Sequence, residues 1–149
     1  MALAMEIHAD EVTGVTSITV EIPLAADAAF VWDVVRDIYA VDTRLIPGFA
    51  TAVERGPEIR TVTFASGLTV TERIVEIDDQ ARRLVYQATD LPATYHLSTQ
   101  VVREDEAGAH LVWTTEFSPP ARLEHATMNV RAAAELMKTT IDAAFAEER

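Results

Sequence analysis

The sequence contains no cysteine among its 149 residues. Disulfide bonds, thiolate nucleophiles and zinc sites with sulfur ligands are therefore excluded. It also lacks an uninterrupted apolar run long enough to span a membrane, and its first residues lack the basic segment and apolar run of a secretory signal. From these absences we expect a cytoplasmic protein that does not insert into membranes.

Positive charge is scarce. Twelve Lys and Arg residues stand against twenty-four Asp and Glu residues, which gives a net charge of −12 at pH 7. Such an acidic protein repels phosphate backbones and anionic membrane surfaces, so we expect no nucleic-acid partner. The length and the 49% hydrophobic content suit one globular domain. We predict a single domain over residues 1–149, in which residues 1–15 form a loosely ordered or edge segment.

Several common kinds of catalytic site are also missing. No two of the four histidines are spaced for a shared metal ion, and no glycine-rich phosphate loop occurs. The serines have no evident neighbouring base for a catalytic triad. We therefore predict no metal site and no cofactor, and expect any binding site to be formed by the fold itself.

The C-terminal part of the sequence shows the clearest helical pattern. A helix is predicted for residues 121–145, after two consecutive prolines, because apolar residues recur there at steps of three and four. Three alanines occupy central positions of this face, where a filled core would have larger side chains. The pattern therefore indicates a helix that borders a cavity. The apolar residues are Leu123, Ala126, Val130, Ala133, Ala134, Met137, Ile141, Ala144 and Phe145.

The rest of the sequence consists mainly of short alternating strands. Two short helices, residues 25–37 and 39–45, are predicted after the first strand, and the second one stops at Pro47. The predicted fold class is α+β, with one curved antiparallel sheet of seven strands wrapped around the long C-terminal helix. The predicted strands are residues 18–22, 49–54, 59–64, 68–77, 83–88, 94–102 and 110–117.

A series of short motifs, each weak alone, occurs along the chain in one order. This order resembles that of the START-like, birch-pollen-allergen-like (SRPBCC) superfamily, and within it the bacterial polyketide cyclase/dehydrase and lipid transport family. The resemblance implies the helix-grip fold. The resemblance does not determine the activity, because the superfamily includes cyclases, lipid carriers and hormone receptors. The motifs are Ile22-Pro23, Val31-Trp32-Asp33, Arg36-Asp37, residues 60–64 with Gly67, Glu72-Arg73-Ile74 with Asp78, Tyr86, Val112-Trp113 and Phe117-Ser118-Pro119.

The hairpin at residues 65–67 determines which side chains share a face of the sheet. A three-residue loop with Gly67 in the left-handed conformation pairs Arg60 with Glu72, whereas a two-residue loop would set Arg60 against Arg73. The like-charge pairing is unfavourable, so we predict the first register. The inward face then contains Arg60, Val62, Phe64, Val70, Glu72 and Ile74.

Residues can be paired outward from the turn in the same way for the last hairpin, which joins the predicted strands 94–102 and 110–117. This pairing places a mostly apolar set of residues on the inward face, with Tyr86 and Tyr95 on that side of their strands. The predicted pairs are Leu97 with Thr115, Thr99 with Trp113 and Val101 with Leu111.

The histidines fall outside this predicted interior. His96 and His110 face outward in this register, His8 lies in the weakly patterned start, and His125 lies off the apolar stripe of the helix. We therefore predict that no histidine acts as a base inside the cavity.

The predicted site combines one ion pair with a largely apolar wall. Arg60 and Glu72 are charged residues on an apolar face, so we predict that they are partners and the catalytic pair. Arg60 would anchor an anionic or carbonyl oxygen, and Glu72 would orient the guanidinium or accept a proton. A purely structural ion pair is the alternative. The predicted ligand-binding residues are Val62, Val70, Ile74, Tyr86, Tyr95, Thr99, Trp113, Thr115, Val130, Ala133 and Met137, although the tyrosines and Trp113 are equally explained as core rings.

Two classes of function remain open. A polyketide cyclase or dehydratase would hold a poly-carbonyl substrate in a folded shape, with Arg60 stabilising a developing enolate and Glu72 or a tyrosine moving protons. A carrier would use the same cavity to shield a lipid or pigment from water. An interaction module with a packed core is a third alternative. The expected partner is a hydrophobic or amphipathic small molecule, and a homodimer is compatible with the sequence.

Overall fold

A computed structural model describes residues 3–91, 95–118, 120 and 123–148 of the chain. The elements in chain order are β1 Ala4–Ala9, β2 Thr16–Leu24, α1 Ala28–Arg36, a 3₁₀ turn Ile38–Ala40, a π-helical turn Val41–Leu45, β3 Ala50–Gly56, β4 Ile59–Phe64, β5 Thr69–Asp78, β6 Arg83–Ala88, β7 Tyr95–Asp105, β8 Gly108–Ser118 and α2 Leu123–Glu147. Among the described residues, no helix is both long and apolar enough to cross a membrane.

The strands form one antiparallel sheet in the order β1-β2-β8-β7-β6-β5-β4-β3. Helix α2 lies against its concave side, and the apolar stripe of the helix is buried there. The α+β helix-grip fold is therefore confirmed. The buried residues of α2 are Val130, Ala133, Ala134, Met137 and Ile141.

The sheet has eight strands, so the predicted number of seven is wrong. The additional strand is β1, which pairs with β2 at the edge of the sheet, with Ile7 opposite Ile18. All but one of its residues are exposed, and Ile7 is 50% exposed. A strand with so little buried surface has no need of apolar alternation, and this explains why the sequence pattern did not reveal it.

The helical segments follow the predictions with shifted ends. Helix α1 begins after Asp27, whose carboxylate accepts a hydrogen bond of 2.9 Å from the backbone N–H of Phe30. The second predicted helix, residues 39–45, is divided into the 3₁₀ and π-helical turns. The first two residues predicted for the C-terminal helix, and Thr94 at the start of a predicted strand, lie outside the described residues.

The register predicted for β4 and β5 is confirmed. Arg60 is opposite Glu72, and Val62 is opposite Val70. The loop contains Gly67 at φ +92°, a conformation that favours glycine. This hairpin brings the two charged residues of the predicted site together.

The register predicted for β7 and β8 is wrong by one residue. The true pairs are Ser98 with Thr115, Gln100 with Trp113, and Val102 with Leu111. The strands continue to Asp105 and Gly108 and are joined by a two-residue turn, which moves every pair by one residue from the predicted register. Because adjacent residues of a strand face opposite sides, the shift turns over every side chain of β7. Tyr95, Leu97, Thr99 and Val101 consequently lie on the outer face.

Candidate functional site

A cavity of about 320 Å³ lies between the sheet and α2. This volume falls at the lower end of the range of small-molecule pockets. Most of the wall is apolar, and the two central alanine positions of the helix stripe that face it, Ala126 and Ala133, leave space where larger residues would fill the core. The apolar wall consists of Val41, Leu45, Ile46, Phe49, Val62, Phe64, Ala65, Leu68, Val70, Leu91, Phe117, Ala126, Val130, Ala133 and Met137, together with the rings of Tyr86 and Trp113.

The cavity has a mouth and an inner end. Exposed residues of the β4–β5 hairpin and of the first turns of α2 mark the mouth, among them Leu68, which is 47% exposed, and His125. The inner end lies near the beginning of β4 and the middle of β7, and it contains buried polar residues. These are Arg60, Glu72, Gln100, Tyr86 and Trp113. A ligand would therefore pass a mouth of mixed polarity, then an apolar wall, and would meet buried polar groups at depth.

Arg60 and Glu72 form a buried ion pair at the inner end. The Nε atom of Arg60 lies 2.8 Å from Oε1 of Glu72, and the two side chains are only 5% and 10% exposed. Burying two charges is unfavourable unless further hydrogen bonds satisfy them. Nη1 of Arg60 supplies one of these bonds, because it donates to the backbone oxygen of Ile38 at 2.9 Å. The 3₁₀ turn therefore helps to hold the guanidinium.

Two further features of Arg60 point toward the cavity. Its guanidinium carbon lies 4.7 Å from the centre of the Tyr86 ring, a distance suited to a cation–π contact. Within the described part of the chain, its hydrogen bonds use Nε and Nη1 and none uses Nη2. Both N–H groups of Nη2 are therefore left to donate to a ligand oxygen.

The other polar groups of the inner end are neutral. Burial raises the pKa of Tyr86 to about 12, and the neighbouring charge of Glu72 acts in the same direction. Weak contacts of the Tyr86 hydroxyl with Ser98 and Trp113 act in the opposite direction and lower its pKa. The hydroxyls of Ser98 and Thr115 lie 3.3 Å apart and form a hydrogen bond. Nε1 of Trp113 and Oε1 of Gln100 are buried and form no hydrogen bond of normal geometry among the described residues. Unpartnered buried polar atoms are uncommon in native proteins.

The buried phenol gives a testable pH dependence. Since the pKa of Tyr86 is higher in the folded state, about 12, than the ordinary 10, this group leaves stability unchanged below pH 10 and lowers it as the pH rises from 10 to about 12. We expect an ultraviolet titration of the three tyrosines to end with a late ionisation that belongs to Tyr86, whereas the pKa of Tyr95 is also raised, by burial and by the charge of Glu116. Tyr86→Phe should remove that late component. Simultaneous titration of all three near pH 10 would contradict the buried position.

The structure brings most of the predicted site residues to the cavity wall. Three do not line it. Tyr95 and Thr99 lie on the outer face because of the shifted register of β7, and Ile74 packs in the core beside Tyr86, next to a bulge in β5. The predicted residues that line the cavity are Arg60, Glu72, Val62, Val70, Tyr86, Trp113, Thr115, Val130, Ala133 and Met137. Their functional roles stay predictions.

Five polar residues of the wall were missed, namely Ser66, His96, Gln100, His125 and Asn129. His96 and His125 line the cavity, so the expectation that no histidine reaches it is wrong. The register shift turns His96 and Gln100 inward, and His125 reaches the mouth from the exposed first turns of α2, where its Nε2 lies 3.1 Å from Nδ2 of Asn129. A two-residue turn at residues 106–107 was the signal that would have placed His96 and Gln100 correctly. Within the described ranges, no three His, Asp or Glu side chains are grouped as metal ligands.

The comparison with known families agrees with this architecture. Residues 15–147 match the family described as polyketide cyclase / dehydrase and lipid transport. The chain belongs to this family. The resemblance seen in the sequence motifs is thereby confirmed for nearly the whole length of this family member. No curated protein matches it by sequence.

Solved structures show the same fold for this polyketide cyclase/dehydrase and lipid transport family member. Norcoclaurine synthase of Thalictrum flavum, in complex with dopamine and hydroxybenzaldehyde, is 18% identical with a TM-score of 0.72, over 98% of this chain and 97% of that one. An uncharacterised protein of Bacillus thuringiensis is 20% identical with a TM-score of 0.69, over 85% and 98% of the two chains. At these identities the similarity shows the fold alone.

Proposed function

We propose that this protein binds an amphipathic organic molecule whose acidic or carbonyl oxygen contacts Arg60 and whose apolar body fills the rest of the cavity. The observation that carries the proposal is the buried Arg60–Glu72 pair at the inner end of an otherwise apolar pocket. Two charges at such a place would be replaced at little cost by apolar residues if only stability mattered. Their presence is better explained by a ligand oxygen.

The charge distribution favours a ligand whose acidic or carbonyl oxygen lies at Arg60. The protein as a whole repels anions, since its net charge is −12. Inside the cavity, however, Arg60 offers Nη2 in a place shielded from water, where hydrogen bonds to a charged group are stronger than on the surface. The apolar wall between the mouth and Arg60 contributes the hydrophobic part of the binding energy.

The same geometry supports catalysis as an extension of binding. With a poly-carbonyl ligand, Arg60 would stabilise the negative oxygen of an enolate while Glu72 accepts the proton from the adjacent carbon. Tyr86 stays protonated at neutral pH, because its pKa is raised to about 12, so it would serve as a hydrogen-bond donor and not as a base. Cyclisation or dehydration of a polyketide-like substrate is the reaction that this arrangement suits.

A carrier is the second candidate, and one observation favours it. Oε1 of Glu72 accepts a hydrogen bond of 2.8 Å from Nε of Arg60, so this oxygen holds the guanidinium in place. In that case the pair would orient the head group of a lipid or pigment without any proton transfer. A homodimer, which the sequence allows, and the expected cytoplasmic location stay predictions.

Matched ligands test the binding mode. We expect 2-naphthoate to bind at least about tenfold more tightly than 2-methylnaphthalene, because only the carboxylate can form a charge-assisted hydrogen bond with Arg60. Calorimetric titration of the purified protein would measure both constants. Equal affinities would contradict the role of Arg60, and failure of both compounds to bind would contradict the cavity as a ligand site.

Native mass spectrometry separates the enzyme from the carrier. A molecule that co-purifies with the protein should be identified and returned to ligand-free protein. A change in its mass or ring count would indicate catalysis, and Glu72→Gln should then abolish the change while the ligand still binds. An unchanged ligand, bound equally by the parent and by Glu72→Gln, would favour the carrier.

A further inference from the structure

Gln100 and Trp113 are neighbours in the wall of the cavity. They are directly opposite each other on β7 and β8, so their side chains leave the sheet on the same face and next to each other. Both line the cavity, and both are buried, with exposed fractions of 2% and 9%. The pair is distinct from Arg60 and Glu72, which lie on β4 and β5.

This pair carries one unsatisfied acceptor and one unsatisfied donor. Oε1 of Gln100 and the indole N–H at Nε1 of Trp113 form no hydrogen bond of normal geometry among the described residues. The Tyr86 hydroxyl approaches the indole N–H only closely enough for a weak contact. The next pair along the same two strands, Ser98 and Thr115, is satisfied by its own hydrogen bond of 3.3 Å. A buried polar group without a partner destabilises the protein. The missing partner would therefore be supplied by whatever occupies the cavity.

We propose that Gln100 and Trp113 form a second polar subsite, which binds a neutral hydroxyl group of the ligand. The hydroxyl oxygen accepts a hydrogen bond from Nε1 of Trp113, and its hydrogen is donated to Oε1 of Gln100. A hydroxyl is the smallest group that offers both an acceptor and a donor at one atom. The inference rests on the proposed function, since Arg60 holds the first oxygen of the same ligand.

The subsite narrows the class of ligand. Apart from Arg60 and Glu72, the described wall contains no Arg, Lys, Asp or Glu side chain, so a second charged group would meet only the imidazoles of His96 and His125. The ligand has one acidic or carbonyl oxygen, one neutral hydroxyl and an apolar frame between them. Hydroxylated aromatic acids and hydroxylated carbonyl compounds have this composition, whereas simple fatty acids lack the hydroxyl.

A panel of 2-naphthoates tests the subsite. It contains 2-naphthoate itself, monohydroxy-2-naphthoates with the hydroxyl at different ring positions, and the corresponding methoxy compounds. We expect at least one hydroxy isomer to bind the parent about tenfold more tightly than 2-naphthoate. Its methoxy counterpart can accept but cannot donate, so it should lose most of this gain. In Gln100→Leu and in Trp113→Phe, the hydroxy isomer should bind about as tightly as 2-naphthoate.

Thermal unfolding without ligand provides a second measurement. Gln100→Leu should melt at a higher temperature than the parent, because it replaces an unpartnered buried amide by an apolar side chain. Ser98→Ala is the matched control on the same strand and should melt at a lower temperature, because Thr115 loses its hydrogen-bond partner. A lower melting temperature for Gln100→Leu would overturn the subsite.

The outcomes separate this inference from the proposed function. If none of the naphthoates binds the parent, the proposed function fails and the subsite fails with it. If 2-naphthoate binds but no hydroxy isomer binds more tightly than it does, the subsite alone is overturned. The subsite would also be overturned if the hydroxy isomer still bound more tightly than 2-naphthoate in both variants, or if the methoxy compound bound the parent as tightly as the hydroxy isomer. Neither result would affect the role of Arg60.

Discussion

Arg60→Met should destabilise the protein by about 3–5 kcal/mol, because it leaves the buried carboxylate of Glu72 without its partner. Glu72→Leu should have a similar effect, since it leaves the guanidinium uncompensated. The double variant should unfold with a free energy close to that of the parent, because two apolar side chains replace the whole pair. Urea denaturation of the three variants would measure these differences.

A surface ion pair provides the control. Nε of Arg83 lies 2.6 Å from Oε1 of Glu76, but both side chains are 41% exposed. Arg83→Met and Glu76→Leu should each change the free energy of unfolding far less than the buried variants do, because exposed pairs are screened by water. The comparison separates the effect of burial from that of charge pairing.

Ligand binding decides whether the buried pair has a function. The double variant Arg60→Met with Glu72→Leu should lose the preference for 2-naphthoate over 2-methylnaphthalene while it keeps its stability. If the double variant is stable and keeps that preference, the carboxylate does not bind at Arg60 and the site assignment is wrong. If the double variant is as unstable as the single ones, the pair is needed for folding as such.

The sequence predicted the ion pair because local rules were sufficient there. The loop glycine and the repulsion between Arg60 and Arg73 left one favourable register for the hairpin, and the structure has that register. The long apolar stripe of α2 similarly predicted the helix and its buried face. The bond from Arg60 to the backbone oxygen of Ile38 could not be predicted, because it joins segments that only the tertiary fold brings together.

The register of β7 was predicted wrongly because the inward face of this strand is polar. On β7 the outward residues Leu97, Thr99 and Val101 look more apolar than the inward residues Ser98 and Gln100, so the rule that apolar residues face the core selected the wrong register. Of the inward polar residues of β7, His96 and Gln100 line the cavity, and Ser98 lies between them on the same face. The failure of the pattern therefore marks the part of the strand that the proposed site occupies.

Ala133→Phe should abolish binding of 2-naphthoate while it changes the free energy of unfolding by less than about 1 kcal/mol. Ala133 is buried on α2 and lines the cavity, so a phenyl ring there would enter empty space. Filling a void avoids the strain of about 1–3 kcal/mol that added bulk causes in a packed core. Calorimetric titration and urea denaturation would measure the two effects.

Ala134→Phe is the matched control at the next position of the helix. Ala134 is 0% exposed and belongs to the packed core, and it does not line the cavity. The same substitution there should destabilise the protein by about 1–3 kcal/mol or more, because the ring has no space to enter. If Ala133→Phe is as destabilising as Ala134→Phe, the interior beside Ala133 is filled by the protein itself. The domain would then be the packed interaction module, since a cavity that tolerates no added ring could not admit a ligand of the proposed size.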